Sequence, residues 1–151
     1  MNLVVKTPED EKELAALREF MLKQPQFYPR YQEWVDGVCV PGIEQEDREA
    51  IFVMSDRQVV GDVVFRQLQG QRVEIKNFRI DEQYRRRDLG HFLLNQVERV
   101  SRGGVIVLDV SVGNFPAVEF FTRNMFHIVG KSQLYVLGQE EYLMEKSIKA
   151  A

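Results

Sequence analysis

The chemistry-bearing stretch of this chain is VEIKNFRIDEQYRRRDLGHFLL, residues 73–94. A β-type run meets a loop with three consecutive arginines, Arg85, Arg86 and Arg87, and Gly90 then opens an amphipathic helix. That order joins positive charge to the free backbone N–H groups of a helix N-terminus, a combination that favours anions and phosphates in particular. The whole chain carries a net charge of −3, so the basic cluster is local and its position before the helix needs a local explanation. A solvated surface run is the alternative for three arginines taken alone. Other groups able to do chemistry are few. His91 falls in the first turn of the helix, where the dipole disfavours its charged form. His127 falls on a β-type run and reads as a structural residue. Cys39 is the single cysteine, which excludes an internal disulfide and reads as a buried thiol. No metal-ligand spacing is present.

Residues 3–6 form a short first strand. Thr7 and Pro8 mark a helix start, as N-cap and first helical residue, with Leu14, Leu17 and Met21 on its buried face. Tyr31, Trp34, Val35 and Val38 follow helical spacing until Pro41 and Gly42 end the segment. Runs at 50–54, 59–68 and 73–80, with turns at 56–58 and 69–71, predict a three-stranded meander. A helix over 90–102 turns Leu93, Val97 and Val100 inward, and Gly103-Gly104 stops it. Residues 105–110 are a continuous apolar run, expected for a strand covered on both faces. Asn114 caps a last helix to residue 124, and 126–137 and 141–147 close the chain as strands around Gly138. The order predicts an α+β (mixed α/β) fold, a mixed and mostly antiparallel sheet of about seven strands with about four helices. The 151 residues fit a single domain, 1–151.

The loop resembles the signature of the GNAT superfamily of acyl-CoA-dependent N-acetyltransferases, Arg/Gln-x-x-Gly-x-Gly/Ala after the fourth strand. Arg85, Asp88 and Gly90 take its places, with aspartate for the first glycine. Phe78-Arg79-Ile80 resembles the family's strand end, and Glu82 stands where a proline is common. The run from Asn114 to Phe121 resembles the Asn-x-x-Ala-x-x-apolar-Tyr helix, with Phe121 at the tyrosine place and Met125-Phe126 where Gly-Phe is usual. The element order matches the GNAT layout independently of these motifs.

The resemblance implies acetyl-CoA as cofactor and transfer of an acetyl group to a primary amine, by direct attack in a ternary complex. It places the pyrophosphate against the loop of Arg85, Arg86, Arg87, Asp88, Leu89, Gly90 and His91. The pantetheine arm falls to the strand end Phe78, Arg79 and Ile80, with Asn114 and Phe121 beside it. Asp88 puts negative charge near two phosphates, so weakened cofactor binding is expected; aspartate does tolerate a left-handed backbone. Glu74 stands six residues before Ile80, the place of the catalytic glutamate in some histone-type members, and is the candidate base; the alternative is the solvent-facing member of a strand alternation. Phe121 has no hydroxyl to protonate a thiolate, which leaves water or a tyrosine such as Tyr135.

The acceptor, a small-molecule or protein amine, is assigned to the aromatic stretch Phe27, Tyr28, Tyr31 and Trp34, although aromatics at helical spacing also serve as core. Acidic residues around it suit a cationic amine or form a solvated face. The alternative is a catalytically weak GNAT-fold module that binds CoA or a protein partner, which the departures at Asp88 and Phe121 keep open. Net charge argues against nucleic acid, and no apolar run approaches membrane-spanning length. The chain reads as cytoplasmic, and an edge strand near the C-terminus offers a second copy a pairing edge, hence a homodimer.

Overall fold

The computed structural model describes residues 3–85 and 88–150. Seven strands form one sheet: β1 (Leu3–Lys6), β2 (Glu49–Ser55), β3 (Gln58–Leu68), β4 (Arg72–Ile80), β5 (Val105–Ser111), β6 (His127–Ser132) and β7 (Glu141–Ser147). Their spatial order is β1-β2-β3-β4-β5-β7-β6. Every neighbouring pair is antiparallel except β4 and β5. The helices are α1 (Glu11–Lys23), α2 (Tyr31–Trp34), α3 (Val40–Glu44), α4 (Leu89–Arg99) and α5 (Phe115–Arg123). A wide π-turn, Val35–Cys39, joins α2 to α3, so residues 31–44 run as one helical segment and four such segments flank the sheet. The expected α+β fold is the observed one.

Alternation along the strands divides the core between the two faces of the sheet. On one face Leu93, Leu94 and Val97 of α4 and Phe121 of α5 pack with Val63, Phe65, Val73, Ile75, Ile106 and Leu108. On the other, Leu17 and Met21 of α1 and Tyr31, Val35 and Cys39 pack with Phe52 and Val64. The parallel β4–β5 pairing is set where Gly104 enters β5. A Cβ there would lie 2.1 Å from the Gln71 carbonyl oxygen, and the next amide, Val105, donates to that oxygen at 3.0 Å.

Four boundaries depart from the sequence reading. Helix α1 is capped by Asp10 and not Thr7, because the Asp10 carboxylate reaches the Glu13 amide at 2.8 Å. Pro41 and Gly42 lie inside α3; the wide turn covers Gly37, whose carbonyl an ordinary helix would press against the proline ring. Helix α4 stops at Arg99. Ser101 donates back to the Val97 carbonyl at 2.7 Å, ending the helix and leaving Val100 51% exposed rather than inward. Strand β6 ends at Ser132 and not at 137: the buried Glu141 carboxylate captures the Leu134 amide at 2.9 Å, and Gln133 takes the Gly138 amide at 2.8 Å. The resulting turn carries Tyr135 towards the sheet.

Candidate active site

The two parallel strands separate. β4 and β5 pair only at Arg72–Val105, Val73–Ile106 and Glu74–Val107, and beyond those three positions no pairing holds them. A bulge lies at the point of divergence. Opposite the consecutive β3 residues Val64 and Phe65 stand Asn77 and Ile75, so Lys76 is the extra residue. The bulge reverses the facing of the residues beyond it. Ile75 packs with the α4–α5 layer, whereas Asn77 meets Tyr31 of the opposite layer. Between the separated strands lies a cavity of about 160 Å³, walled by residues 75–79 of β4, residues 108–110 of β5, Phe121, and an aromatic group of Tyr28, Tyr31, Trp34 and Tyr135.

Asp109 is the carboxylate in this wall. The Tyr135 hydroxyl donates to its Oδ1 at 2.8 Å, and the Tyr135 ring meets Tyr28 edge-on with centroids 4.8 Å apart. The Tyr28 hydroxyl oxygen accepts from the Ser111 amide at 3.3 Å. Burial raises the Asp109 carboxyl above the ordinary range, and the Tyr135 hydrogen bond partly opposes the rise. Burial first, then the adjacent Asp109 charge, raises Tyr135, so it stays a hydroxyl at neutral pH. A chain of side chains buttresses the opposite wall. Tyr31 donates to Asn77 Oδ1 at 2.6 Å, and Asn77 Nδ2 donates to the wholly buried Asp62 carboxylate at 2.9 and 3.2 Å. Arg79 lies over the Tyr31 ring, 5.2 Å from its centroid, and donates to the Pro25 carbonyl at 2.5 Å.

The candidate phosphate loop meets the sheet at the end of β4. Asp88 adopts φ 60°, ψ 14°, the left-handed conformation that the signature glycine would supply, and its side chain is exposed and makes no cap. Leu89, Gly90 and His91 follow in the first turn of α4, where backbone N–H groups have no intrahelical acceptor. Gly90 serves packing as well: a Cβ would stand 3.0 Å from Phe120 and 3.7 Å from Phe78, so the helix start presses on the aromatic group below it. His91 is tied through Nδ1 to Asn124 Oδ1 at 2.9 Å, and Arg85 donates to the Ile80 carbonyl at 3.2 Å. Arg86 and Arg87 lie outside the described residues.

Of the residues singled out from sequence, Tyr28, Tyr31, Trp34, Phe78, Arg79, Asn114 and Phe121 all line the cavity. Asn114 caps α5, its Oδ1 accepting from the Ala117 amide at 3.4 Å. Phe121 is buried among Phe78, Phe120 and Phe126, with ring centroids 5.2 to 5.6 Å away. Glu74 is elsewhere. Its carboxylate accepts from Arg66 Nε at 2.8 Å, lies 3.8 Å from Lys76 Nζ, and is absent from the cavity wall. The bulge at Lys76 puts the point of divergence beyond Glu74, which therefore stays in the paired part of the sheet. Asp109 was missed by sequence reasoning, although a visible signal existed: it is the one charged residue in the otherwise apolar run at 105–110. Among the described residues no group of three or more His, Cys, Asp or Glu could hold a metal ion, and no helix is long and apolar enough to cross a membrane.

A mixed sheet parted at its single parallel pair and followed by the α4 helix start is the layout that the sequence resemblance implied. The chain matches the Acetyltransferase (GNAT) family over residues 12–126 and belongs to that family. No curated protein matches it. Its fold is shared with a GNAT-family protein from Desulfovibrio desulfuricans, at 16% identity and a TM-score of 0.78, covering 97% of this chain and 99% of that one. An aminoglycoside 6'-N-acetyltransferase complexed with coenzyme A superposes at a TM-score of 0.76, with 17% identity and 98% of each chain covered. The ribosomal-protein-S18-alanine N-acetyltransferase of Escherichia coli gives 0.75, at 15% identity over 99% of this chain and 96% of that one.

Proposed function

We propose that this chain is an acetyl-CoA-dependent N-acetyltransferase that acts on a primary amine while both partners are bound. The observation that carries the reading is the parting of β4 from β5 after Glu74 and Val107, which opens onto a cavity with a half-buried carboxylate, Asp109, in its wall. The chain fits the cofactor in three places. The unpaired edge of β4 offers backbone groups to a pantetheine arm, as an added strand would use them. The first turn of α4 offers N–H groups and Arg85 to the pyrophosphate. The left-handed Asp88 gives the loop the turn that a glycine would. When bound, acetyl-CoA supplies a thioester whose acetyl group passes to the amine nitrogen as the carbon–sulfur bond breaks and the electron pair leaves on sulfur.

The protein's part is to hold the amine and to receive its proton. Asp109 pairs with the incoming ammonium and, being raised by burial, accepts a proton from it more readily than an exposed aspartate. Tyr135 holds the Asp109 carboxylate in place by donating to Oδ1. We assign Asp109 the role for which the resemblance had offered Glu74, whose lone pairs are engaged by Arg66 and Lys76. Phe121 shapes the apolar end of the cavity and supplies no proton. That lack favours a second reading, a CoA-binding module with weak chemistry. Calorimetric titration with acetyl-CoA, followed by amine-dependent thiol release, separates the two. Micromolar binding with release supports the enzyme, binding without release from a broad amine panel supports the module, and no binding at millimolar acetyl-CoA removes both.

A further inference from the structure

Three charged residues line the cavity: Asp109, Lys76, whose charge acts on Asp109, and Arg79. At one end the tyrosine pair Tyr28 and Tyr135 brackets Asp109, and the fully buried Glu141 lies close enough to act on all three. Elsewhere in the wall Tyr31 and Trp34 stack with centroids 5.8 Å apart, and a guanidinium lies over each ring: Arg79 over Tyr31, and Arg48, outside the wall, over Trp34 at 5.9 Å. Neither arginine forms an ion pair among the described residues. Arg48 is 7% exposed, and its Nε and Nη1 have no hydrogen-bond partner. A buried cation without a counter-ion is costly, and aromatic faces return only part of that cost. Arg79 is the member of the pair that reaches the cavity wall. It commits one N–H to the Pro25 carbonyl, and a guanidinium carries five.

Size narrows the choice further. A cavity of about 160 Å³ is close to the roughly 150 Å³ that takes up one benzene-sized body. The thioester end must share that room, so little space remains for the acceptor. We propose that the acceptor is a small zwitterion of the amino-acid class, its ammonium on Asp109 and its carboxylate on Arg79. The inference rests on the enzymatic reading above and names its substrate class. An acceptor with several ammonium groups and no anionic group would set a cation against Arg79. One with an ammonium and a carboxylate puts a charge of opposite sign at each end, its carboxylate beside Arg79, which is half-buried, feels the charge of the buried Asp62 and makes no ion pair among the described residues.

Matched acceptors test this. Thiol release is measured at saturating acetyl-CoA with glycine against methylamine and with β-alanine against ethylamine, pairs that differ only in the carboxylate. The expected result is kcat/KM at least about tenfold higher for the acid of one pair or both, with the difference largely in KM. In Arg79→Met that ratio falls towards one, and Arg79→Lys, which keeps the charge and loses the fork, restores part of it. Equal or better use of the bare amines overturns the proposal, as does a preference that persists in Arg79→Met. Calorimetry of the same four compounds with the CoA-saturated protein separates the two levels of the argument. Carboxylate-dependent binding without turnover upholds the zwitterion site and removes the enzymatic reading. Turnover of bare amines alone upholds the enzyme and removes the zwitterion.

Discussion

Replacing Asp62 by asparagine should make the stability of this protein depend on pH in a different way. Asp62 is wholly buried on β3, and burial pushes its carboxyl up to about 7 from 3.8, with the Asn77 hydrogen bonds opposing the shift. A carboxyl raised in the folded state binds more protons there than in the unfolded chain between those two values. Its favourable contribution is therefore complete below about pH 4 and is lost as pH rises through about 7. The gap of about 3 units corresponds to about 4 kcal/mol, of which about 3 kcal/mol falls between pH 5 and pH 8. The substituted amide would still accept from Asn77 Nδ2 through its oxygen. Its new N–H₂ gains no acceptor from that contact, which costs about 1–3 kcal/mol at any pH. Urea unfolding of parent and Asp62→Asn at pH 5 and pH 8 reads the outcome. The variant's stability relative to the parent should shift by about 3 kcal/mol in its favour between the two conditions. A relative stability constant within about 0.5 kcal/mol, or a shift the other way, would mean that Asp62 does not carry a raised carboxyl and would refute the reasoning.

Three further outcomes are expected at the site. Asp109→Asn should lower kcat for thiol release by about 10²- to 10⁴-fold, and Glu74→Gln by much less; equal losses would return the proton-accepting role to Glu74. Tyr135→Phe removes the hydrogen bond that opposes the rise at Asp109, so the rising limb of kcat/KM against pH should move to higher pH. An unmoved limb would show that the titrating group is not Asp109. Asp88→Gly suits the observed φ of 60° and removes a negative charge at the start of α4. It should tighten acetyl-CoA binding about fivefold by calorimetry, since a charge about 4 Å away in water is worth about 1 kcal/mol; unchanged or weaker binding would show that the Asp88 charge never reaches the phosphates.

The order of elements was legible in the residues, because hydrophobic period and turn chemistry are local. The β-type runs at 50–54, 59–68 and 73–80 with the turns between them predicted the meander, and Leu93 and Val97 marked the buried face of α4. The aromatic stretch Tyr28, Tyr31 and Trp34 lies against the cavity. Boundaries were less legible. The end of α4 was decided by one serine bonding backwards, and the end of β6 by a buried glutamate further along the chain. Tertiary partners override local preference in such places.

What the sequence determined by itself is the sheet-and-helix order, the left-handed loop that Asp88 can enter, and the helix start at which an anion is favoured. Which carboxylate lines the cavity is set by packing alone. The alternation around Glu74 and Asp109 is the same, an acidic residue between apolar neighbours, and nothing local ranks one above the other. The ranking comes from where β4 leaves β5. Pairing with Val107 and the ion pair with Arg66 hold Glu74 inside the sheet, and the bulge at Lys76 opens the strands just beyond it. Asp109 lies on the open side, where a tyrosine from the turn after β6 can reach it. Strand divergence depends on contacts among segments far apart in the chain, so it becomes visible only once those segments are packed.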